Sequence, residues 1–279
     1  MPEDKISKLS DDLLVQILLL VSTKDAVATT VLSKRWRFIW TMMPRLEYKE
    51  SNDDDKRKKI VWWFLDQSLQ LHKAPVLDSL CIKLGPQCPV NVDVVKWVAK
   101  AVDRFVRKLK FKLLWSADPI SLPKSLYTCE TLVKLNLSHK LVRCSTINFS
   151  RLSELIICPD ESDWLEPLIL LLGNSPKLKK LLVDYGPTET PEDLPLSWNE
   201  PSSVPGCFSS HLEIFEWIVK YGGRVEEKEF VTYILANSRC FKRATISLRS
   251  AFNLEEKQKV IEELESIPRV SKSSQLLLK

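Results

Sequence analysis

Residues 132–137 read Leu-Val-Lys-Leu-Asn-Leu, residues 152–157 read Leu-Ser-Glu-Leu-Ile-Ile, and residues 178–183 read Leu-Lys-Lys-Leu-Leu-Val. Apolar side chains occupy the first, fourth and sixth positions of all three stretches. The last two of these positions are two residues apart, which places both side chains on one face of a β-strand. We therefore predict that the fold is built from short strands that recur along the chain.

The same pattern recurs at intervals of 20 to 34 residues through most of the chain. Its seven copies are Leu77-Leu80-Ile82, Val106-Leu109-Phe111, Leu132-Leu135-Leu137, Leu152-Leu155-Ile157, Leu178-Leu181-Val183, Leu212-Phe215-Trp217 and Phe241-Ala244-Ile246. One copy cannot bury its own apolar residues, whereas stacked copies form a parallel sheet over a continuous core. The sequence therefore predicts an α/β solenoid.

Helices are predicted in the longer intervals, where apolar residues follow three- and four-residue steps. Residues 94–105 predict one helix, with Asn91 or Asp93 as its N-cap, and residues 164–172 predict another. Residues 60–69 predict a further amphipathic helix, which we expect to cover the exposed end of the stack.

The first forty residues have a different pattern, that of three short helices with more apolar surface than they can bury among themselves. The first helix has one apolar stripe, and Ser10, Thr23 and Ser33 are the predicted N-caps of the three. The stripe comprises Leu13, Leu14, Ile17, Leu18 and Val21. Because a unit of this size is too small to be stable alone, its outward apolar residues indicate a docking surface for another protein.

This N-terminal pattern resembles an F-box, and in particular the F-box of plant-type proteins that combine it with leucine-rich repeats and an FBD domain. The resemblance rests on Ile6-Ser7-x-Leu9, on Asp12-Leu13-Leu14-x-x-Ile17-Leu18, on Thr23-Lys24-Asp25-Ala26-Val27, and on Val31-Leu32-Ser33-Lys34-Arg35-Trp36-Arg37-x-x-Trp40. It implies binding to the Skp-type adaptor of a cullin-based ubiquitin ligase. The implied adaptor-binding residues are Leu9, Ser10, Asp12, Leu13, Leu14, Ile17, Leu18, Val31, Leu32, Trp36 and Trp40. The family usually has Pro where this chain has Ser10.

The C-terminal third resembles an FBD domain, and the repeats between the two ends resemble leucine-rich repeats. The FBD resemblance rests on Trp198-Asn199-Glu200-Pro201, Val204-Pro205-x-Cys207-Phe208, Tyr221-Gly222-Gly223, Glu227-Lys228-Glu229-Phe230-Val231 and Leu264-x-x-Ile267-Pro268-Arg269. The predicted organisation is an F-box at 1–46, a charged linker at 47–59, an irregular leucine-rich-repeat solenoid at 60–190, and an FBD cap at 191–279 that continues the stack. Within the linker, an acidic run precedes Lys56-Arg57-Lys58-Lys59, and we favour a solvated linker over an import signal or phosphate contact.

Composition is typical of an intracellular binding protein, in the nucleus or cytoplasm. The chain is 44% hydrophobic and 28% charged, with a net charge of +5. Its seven cysteines are scattered without a Cys-x-x-Cys pair, which argues against a disulfide framework or a metal site. There is no signal-peptide pattern, and the longest apolar runs are too short to span a membrane. Basic residues are not interleaved with aromatic residues, so nucleic-acid binding is not expected.

Catalytic motifs are absent from the sequence. The three histidines lie in unrelated segments, and there is no phosphate loop, nucleophile elbow or zinc-protease motif. We therefore predict a non-catalytic protein without a cofactor, the substrate receptor of a ubiquitin ligase that binds a client protein. The predicted client-binding residues are Ser79, Lys83, Lys110, Lys112, Lys134 and Asn136, which alternate with the buried strand residues. The alternative is a plain interaction scaffold with a degenerate F-box, and a less favoured one is a receptor for a small ligand.

Overall fold

The computed structural model describes residues 6, 8–50, 61–85, 88–89, 92–113, 122–138, 147–159, 164–184, 196–250 and 252–279. The chain divides into two compact units, residues 1–117 and residues 118–279. Each unit is described by itself below. The basic cluster at 56–59 and most of the predicted linker, residues 51–60, lie outside the described residues.

The first unit begins with three short helices and continues with strands and helices in alternation. The helices are α1 (Asp11–Leu18), α2 (Thr23–Ala28), α3 (Trp36–Ile39), α4 (Val61–Leu71) and α5 (Val94–Asp103), and single 3₁₀ turns follow α2 and α3. The strands are β1 (Arg45–Lys49), β2 (Ser79–Leu84) and β3 (Lys108–Leu113). They pair in parallel in the order β1-β2-β3, which is the topology that the repeat pattern predicts.

Two of the predicted helix caps are confirmed and two are wrong. The Oγ of Ser10 accepts from the amide of Leu13 at 3.4 Å, and Asp93 caps α5 through the amide of Lys96 at 3.0 Å. The N-cap of α2 is Ser22 rather than Thr23, because the Thr23 hydroxyl has another partner. Ser33 caps no helix, since α3 starts three residues later without a side-chain cap.

The strand β1 is a repeat unit that the sequence pattern missed. Met43, Leu46 and Tyr48 follow the same first, fourth and sixth spacing, and each is only 2% exposed. Leu46 aligns with Leu80 of β2, and Tyr48 aligns with Ile82. Residues 47–49, which the sequence assigned to a charged linker, therefore belong to the sheet.

The free edge of β1 is covered by α2, not by the helix at residues 60–69 as the sequence suggested. The Thr23 hydroxyl is buried and accepts a hydrogen bond from the backbone amide of Glu47 at 2.8 Å. An uncovered strand edge presents unpaired amides, and this contact satisfies one of them. The helix α4 instead follows β1 and packs on it, with the Tyr48 hydroxyl 2.7 Å from the Ser68 hydroxyl.

A buried histidine joins the end of the helical module to the sheet of the first unit. The Nε2 of His72 is 2.8 Å from the carbonyl oxygen of Met43, and its Nδ1 accepts from the Arg104 guanidinium at 2.6 Å. Arg104 also donates to the backbone carbonyl of His72 at 2.7 Å. Burial, with a smaller contribution from the neighbouring Arg104 charge, lowers the pKa of His72 to about 4, against the opposing effect of the Met43 carbonyl. His72 is therefore neutral in the folded protein at physiological pH.

The second unit contains six parallel strands, paired in chain order within the part of the chain that the structure describes. The strands are β4 (Lys134–Ser138), β5 (Glu154–Ile157), β6 (Lys180–Asp184), β7 (Ile214–Tyr221), β8 (Arg243–Leu248) and β9 (Gln275–Leu278). The helices are α6 (Lys124–Tyr127), α7 (Leu165–Gly173), α8 (Gly206–Ser210), α9 (Val225–Asn237) and α10 (Leu254–Glu265). The C-terminal order strand, helix, strand, helix, strand continues the repeat stack.

The predicted repeats are confirmed in both units by the burial of their apolar residues, which line up in rows across neighbouring strands. Every residue at the three apolar positions of the seven copies is buried. Neighbouring strands are in register, so that Leu155 aligns with Leu181 and Leu181 aligns with Phe215. Each copy thus contributes one residue to each row, and the core runs continuously through each unit.

The turn between β7 and α9 is held by a buried carboxylate. Glu227 is 3% exposed, and its Oε2 accepts from the amides of Gly222 at 2.9 Å and Arg224 at 3.2 Å. Gly223 adopts a left-handed φ of 67°, and a Cβ there would lie 3.2 Å from Val260. Glycine is therefore required at position 223 by both backbone conformation and close packing.

We expect a matched pair of substitutions in β3 to test the strand phase. Leu109 is 1% exposed, so Leu109→Asp should leave an unpaired carboxylate in the core and abolish cooperative folding. The adjacent Lys110 is exposed, so Lys110→Asp should change the free energy of unfolding by only about 0.5 kcal/mol. Thermal melting followed by circular dichroism measures both. The reverse ranking would mean that β3 presents its other face to the core.

The pH dependence of stability should report on His72. Because its pKa is about 6.5 in the unfolded chain and about 4 in the folded one, the unfolded state binds more protons between these values. The free energy of unfolding should therefore fall by about 3 kcal/mol as the pH drops from about 6.5 to about 4. In His72→Gln this component should be missing, as measured by urea unfolding at several pH values. Parallel pH curves for the two proteins would contradict the assignment.

Candidate functional site

The helix α1 is apolar on two sides, one buried and one exposed. Leu14 and Leu18 are 0% and 2% exposed, whereas Leu13 and Ile17 are 50% and 42% exposed. Each pair is four residues apart, so each forms its own stripe on the helix. The sequence had placed all of these residues in one docking stripe. Leu14 and Leu18 are corrected to core residues, because they are already covered within the first unit.

The exposed stripe continues beyond α1 and onto the neighbouring turns. Val31 and Leu32 are 86% and 63% exposed at the turn after α2, Leu20 is 85% exposed, and Phe38 of α3 is 58% exposed. Leu20 and Phe38 were missed by the sequence analysis, although Leu20 extends the spacing of Leu13 and Ile17 by three residues. Among the described residues, nine of the twenty large apolar side chains that are exposed lie between residues 6 and 42. The apolar surface is therefore concentrated at this end of the chain.

The other predicted adaptor-binding residues differ in their exposure to solvent. Leu9 and Trp36 are half-buried, and Ser10 and Asp12 are exposed. Trp40 is only 3% exposed, because its side chain is part of the core. Trp40, like Leu14 and Leu18, is therefore a core residue rather than part of the exposed surface.

Arg35 fastens the start of α1 to the turn that leads into α3. Its Nε donates to the Asp11 carboxylate at 2.8 Å, and one terminal nitrogen lies 2.6 Å from the same oxygen. That terminal nitrogen also donates to the backbone carbonyl of Leu9 at 2.5 Å. A planar guanidinium can make these contacts at once, which an ammonium group cannot. Arg35 thereby fixes the exposed stripe of α1 relative to the Val31 turn.

The predicted client-binding residues lie on the strands, opposite the buried rows. Lys110 is exposed, and Ser79, Lys83, Lys112 and Lys134 are half-buried. The prediction of an outward, accessible side chain is wrong for Asn136. This residue is only 7% exposed, and its Oδ1 lies 3.7 Å from the Cys158 sulfur.

The described residues contain no arrangement that would support metal chemistry. No group of three or more His, Cys, Asp or Glu side chains converges among them, and the six cysteines described are free thiols. The Nδ1 of His211 lies 2.7 Å from the neighbouring Ser210 hydroxyl, and His139 lies outside the described residues. No helix in the described part of the chain has the length and apolar character needed to cross a membrane.

The fold and the exposed surfaces define a class of protein, the repeat-type α/β protein that carries a helical module with an exposed apolar face. Comparison with known proteins agrees with this class. An F-box domain model matches residues 6–48, and an FBD model matches residues 200–246. A putative FBD-associated F-box protein of Arabidopsis thaliana is 39% identical over 432 residues, covering 99% of this chain and 98% of the relative. A putative F-box/FBD/LRR-repeat protein of the same plant is 36% identical over 437 residues, and the alignment covers 99% of this chain and 91% of that relative.

The chain therefore belongs to the F-box/FBD/LRR-repeat family, which confirms the resemblance found in its sequence. F-box domains generally bind Skp-type adaptors. Proteins of this family are generally substrate receptors of Skp-cullin-F-box ubiquitin ligases, and they are typically non-catalytic subunits.

The role of Arg35 can be measured by hydrogen exchange. In Arg35→Gln the contacts to Asp11 and Leu9 are lost, so the hydrogen-bonded amides of α1, from Leu14 onward, should exchange about tenfold faster. Arg37→Gln is the matched control, because Arg37 is exposed and makes no described ion pair. Equal exchange rates in the two variants would show that Arg35 does not fix α1.

Proposed function

We propose that this protein is the substrate-recognition subunit of a Skp-cullin-F-box ubiquitin ligase. The exposed apolar surface of α1 and the Val31 turn docks the Skp-type adaptor, which connects the protein to a cullin. The repeat strands and the C-terminal segment hold a client protein for ubiquitination. The observation that carries the proposal is the outward apolar stripe on the region that matches the F-box model.

The exposed side chains can supply the energy of docking. Fully covering an exposed Leu, Ile or Val side chain is worth about 1.5 to 3 kcal/mol. Leu13, Ile17, Val31 and Leu32 are all more than 40% exposed before docking. Together they offer several kcal/mol on the same scale, which is needed to offset the loss of translational and rotational freedom on association.

The proposed mechanism is proximity and requires no catalytic residue in this chain. A client held by the repeats is placed near an activated ubiquitin, so that transfer becomes an effectively local event. The buried His72 and the scattered free thiols take no part in it. This role places the protein inside the cell, in the nucleus or the cytoplasm.

Ser10 marks the difference from the usual family pattern and supports the alternative of a scaffold with a degenerate F-box. Its φ is −66°, which is the angle that proline would adopt, and its hydroxyl caps α1. The helix therefore starts in the same way without proline. The start of α1 thus gives no structural reason for loss of adaptor binding.

Adaptor binding should depend on the exposed stripe of α1. Leu13→Asp combined with Ile17→Asp should weaken binding of a purified Skp-type adaptor at least about a hundredfold, because two charges would face an apolar contact. The free energy of unfolding should change little, since both side chains are already in contact with water. Leu254→Asp is the matched control, because Leu254 is 85% exposed outside the F-box. Co-purification with the adaptor and a cullin gives the readout.

Ser10→Pro distinguishes the two candidate functions. If the wild-type protein binds no adaptor and Ser10→Pro does not restore binding, the ligase proposal fails and the scaffold is favoured. If both bind, and the stripe variant does not, the ligase proposal stands.

A further inference from the structure

The outward face of the sheet in the first unit is strongly basic. The parallel register of β1, β2 and β3 aligns its nine side chains in three rows. The rows are Arg45-Ser79-Lys108, Glu47-Cys81-Lys110 and Lys49-Lys83-Lys112. This cationic face therefore carries six basic side chains and a single carboxylate.

Most of that positive charge is not neutralised by the residues that the structure describes. Glu47 pairs with Lys49 at 2.6 Å, and Lys108 lies 3.5 Å from Asp78, outside the face. Lys83, Lys110 and Lys112 have no ion pair among the described residues. Neighbouring strands are about 4.8 Å apart, so aligned like charges on them repel. The fold does not require this arrangement, because any polar residue would satisfy the outward positions.

In the second unit, outward charges on neighbouring strands are paired with charges of opposite sign. On its outward face Lys134 pairs with Glu154 at 2.8 Å, and Glu216 lies between Lys180 at 3.4 Å and Arg243 at 3.1 Å. Charges of opposite sign thus alternate across those strands. The uncompensated lysines are therefore a particular property of β2 and β3.

The surroundings of the cationic face indicate the shape of its ligand. A cavity of about 210 Å³ adjoins it, lined by Ser79 and Cys81 of the sheet and by Leu19 and Val21 of the F-box. The row from Lys49 to Lys112 spans two strand spacings, about 10 Å, the length of an extended peptide of three or four residues. The face is thus open and linear, and it lies next to the F-box.

The chemistry of the face favours carboxylates over phosphates or nucleic acid. Lysine acts as a point charge, and Lys83 and Lys112 are aligned side by side in the sheet, with Lys110 in the next row, rather than gathered around one point. A row of separate carboxylates matches this spacing, whereas a single phosphate group would contact only one or two of the lysines. None of the nine outward residues is aromatic, so the face has no platform on which nucleic-acid bases could stack.

We propose that the outward face of β1–β3 binds an extended, carboxylate-rich segment of the client protein through Lys83, Lys110 and Lys112. This inference deepens the proposed function, because it names the chemistry of the client. It rests on the proposed function, since only a substrate receptor has a client protein. The bound segment would lie in the same unit as the F-box.

The test is fluorescence anisotropy with the full-length chain. The probe is a fluorescein-labelled peptide of about twelve residues in which Glu and Ser alternate, long enough to cross all three strands. Lys83→Gln, Lys110→Gln and Lys112→Gln combined should weaken binding at least about tenfold at low salt, and added salt should weaken binding to the wild-type protein. The matched control combines Lys124→Gln, Lys177→Gln and Lys257→Gln, which removes the same charge from exposed positions elsewhere. That control should bind like the wild-type protein.

Three results would overturn the inference. They are no peptide binding at low salt, equal losses in both triple variants, and tighter binding of an oligothymidylate of the same charge. Its failure is distinguishable from failure of the proposed function, because co-purification with the adaptor does not involve the three lysines. Loss of adaptor binding with peptide binding intact would leave the cationic face as a peptide site of a scaffold.

Discussion

The fold depends on one constraint, that a short strand cannot bury its apolar residues alone and needs the neighbouring strands and the helices of the stack to cover them. The common register satisfies this inside each unit, where rows such as Leu155, Leu181 and Phe215 run across the strands. The first strand has a neighbour on one side only. In this protein α2 of the F-box covers the other side, through the hydrogen bond from the Glu47 amide to Thr23. The F-box, which we propose as the adaptor-docking module, therefore also covers the first strand of the repeat core.

Features that depend on local spacing could be predicted from sequence, and features that depend on distant contacts could not. The repeats were predictable because apolar spacing within a strand is local. The strand β1 was missed because Met43, Leu46 and Tyr48 directly follow the F-box pattern and alternate with charged residues. Thr23 was misassigned as a cap because its hydroxyl bonds an amide that is 24 residues away in sequence. Local reasoning supplies no means of finding that partner.

The candidate sites were predictable to a smaller extent, for related reasons. Both sides of α1 consist of leucine and isoleucine, so periodicity gives one broad stripe without showing which of its residues pack inward. Only the packing of the whole unit identifies Leu14 and Leu18 as core and Leu13 and Ile17 as surface. The outward strand residues were found by alternation. Their charge environment was not, because Lys83 and Lys112 become neighbours only through the register of the sheet.

The common register also bears on how such proteins change length. The alignment with the relative at 39% identity runs over 432 residues, whereas this chain has 279, so that protein has internal stretches with no counterpart here. In a stack where every strand offers the same rows, removal of a complete strand-to-strand unit brings together two strands that already match. On this argument, inserting or deleting a whole unit keeps the rows aligned, whereas a partial unit would break them. The number of strand units that follow the F-box then changes only in whole steps.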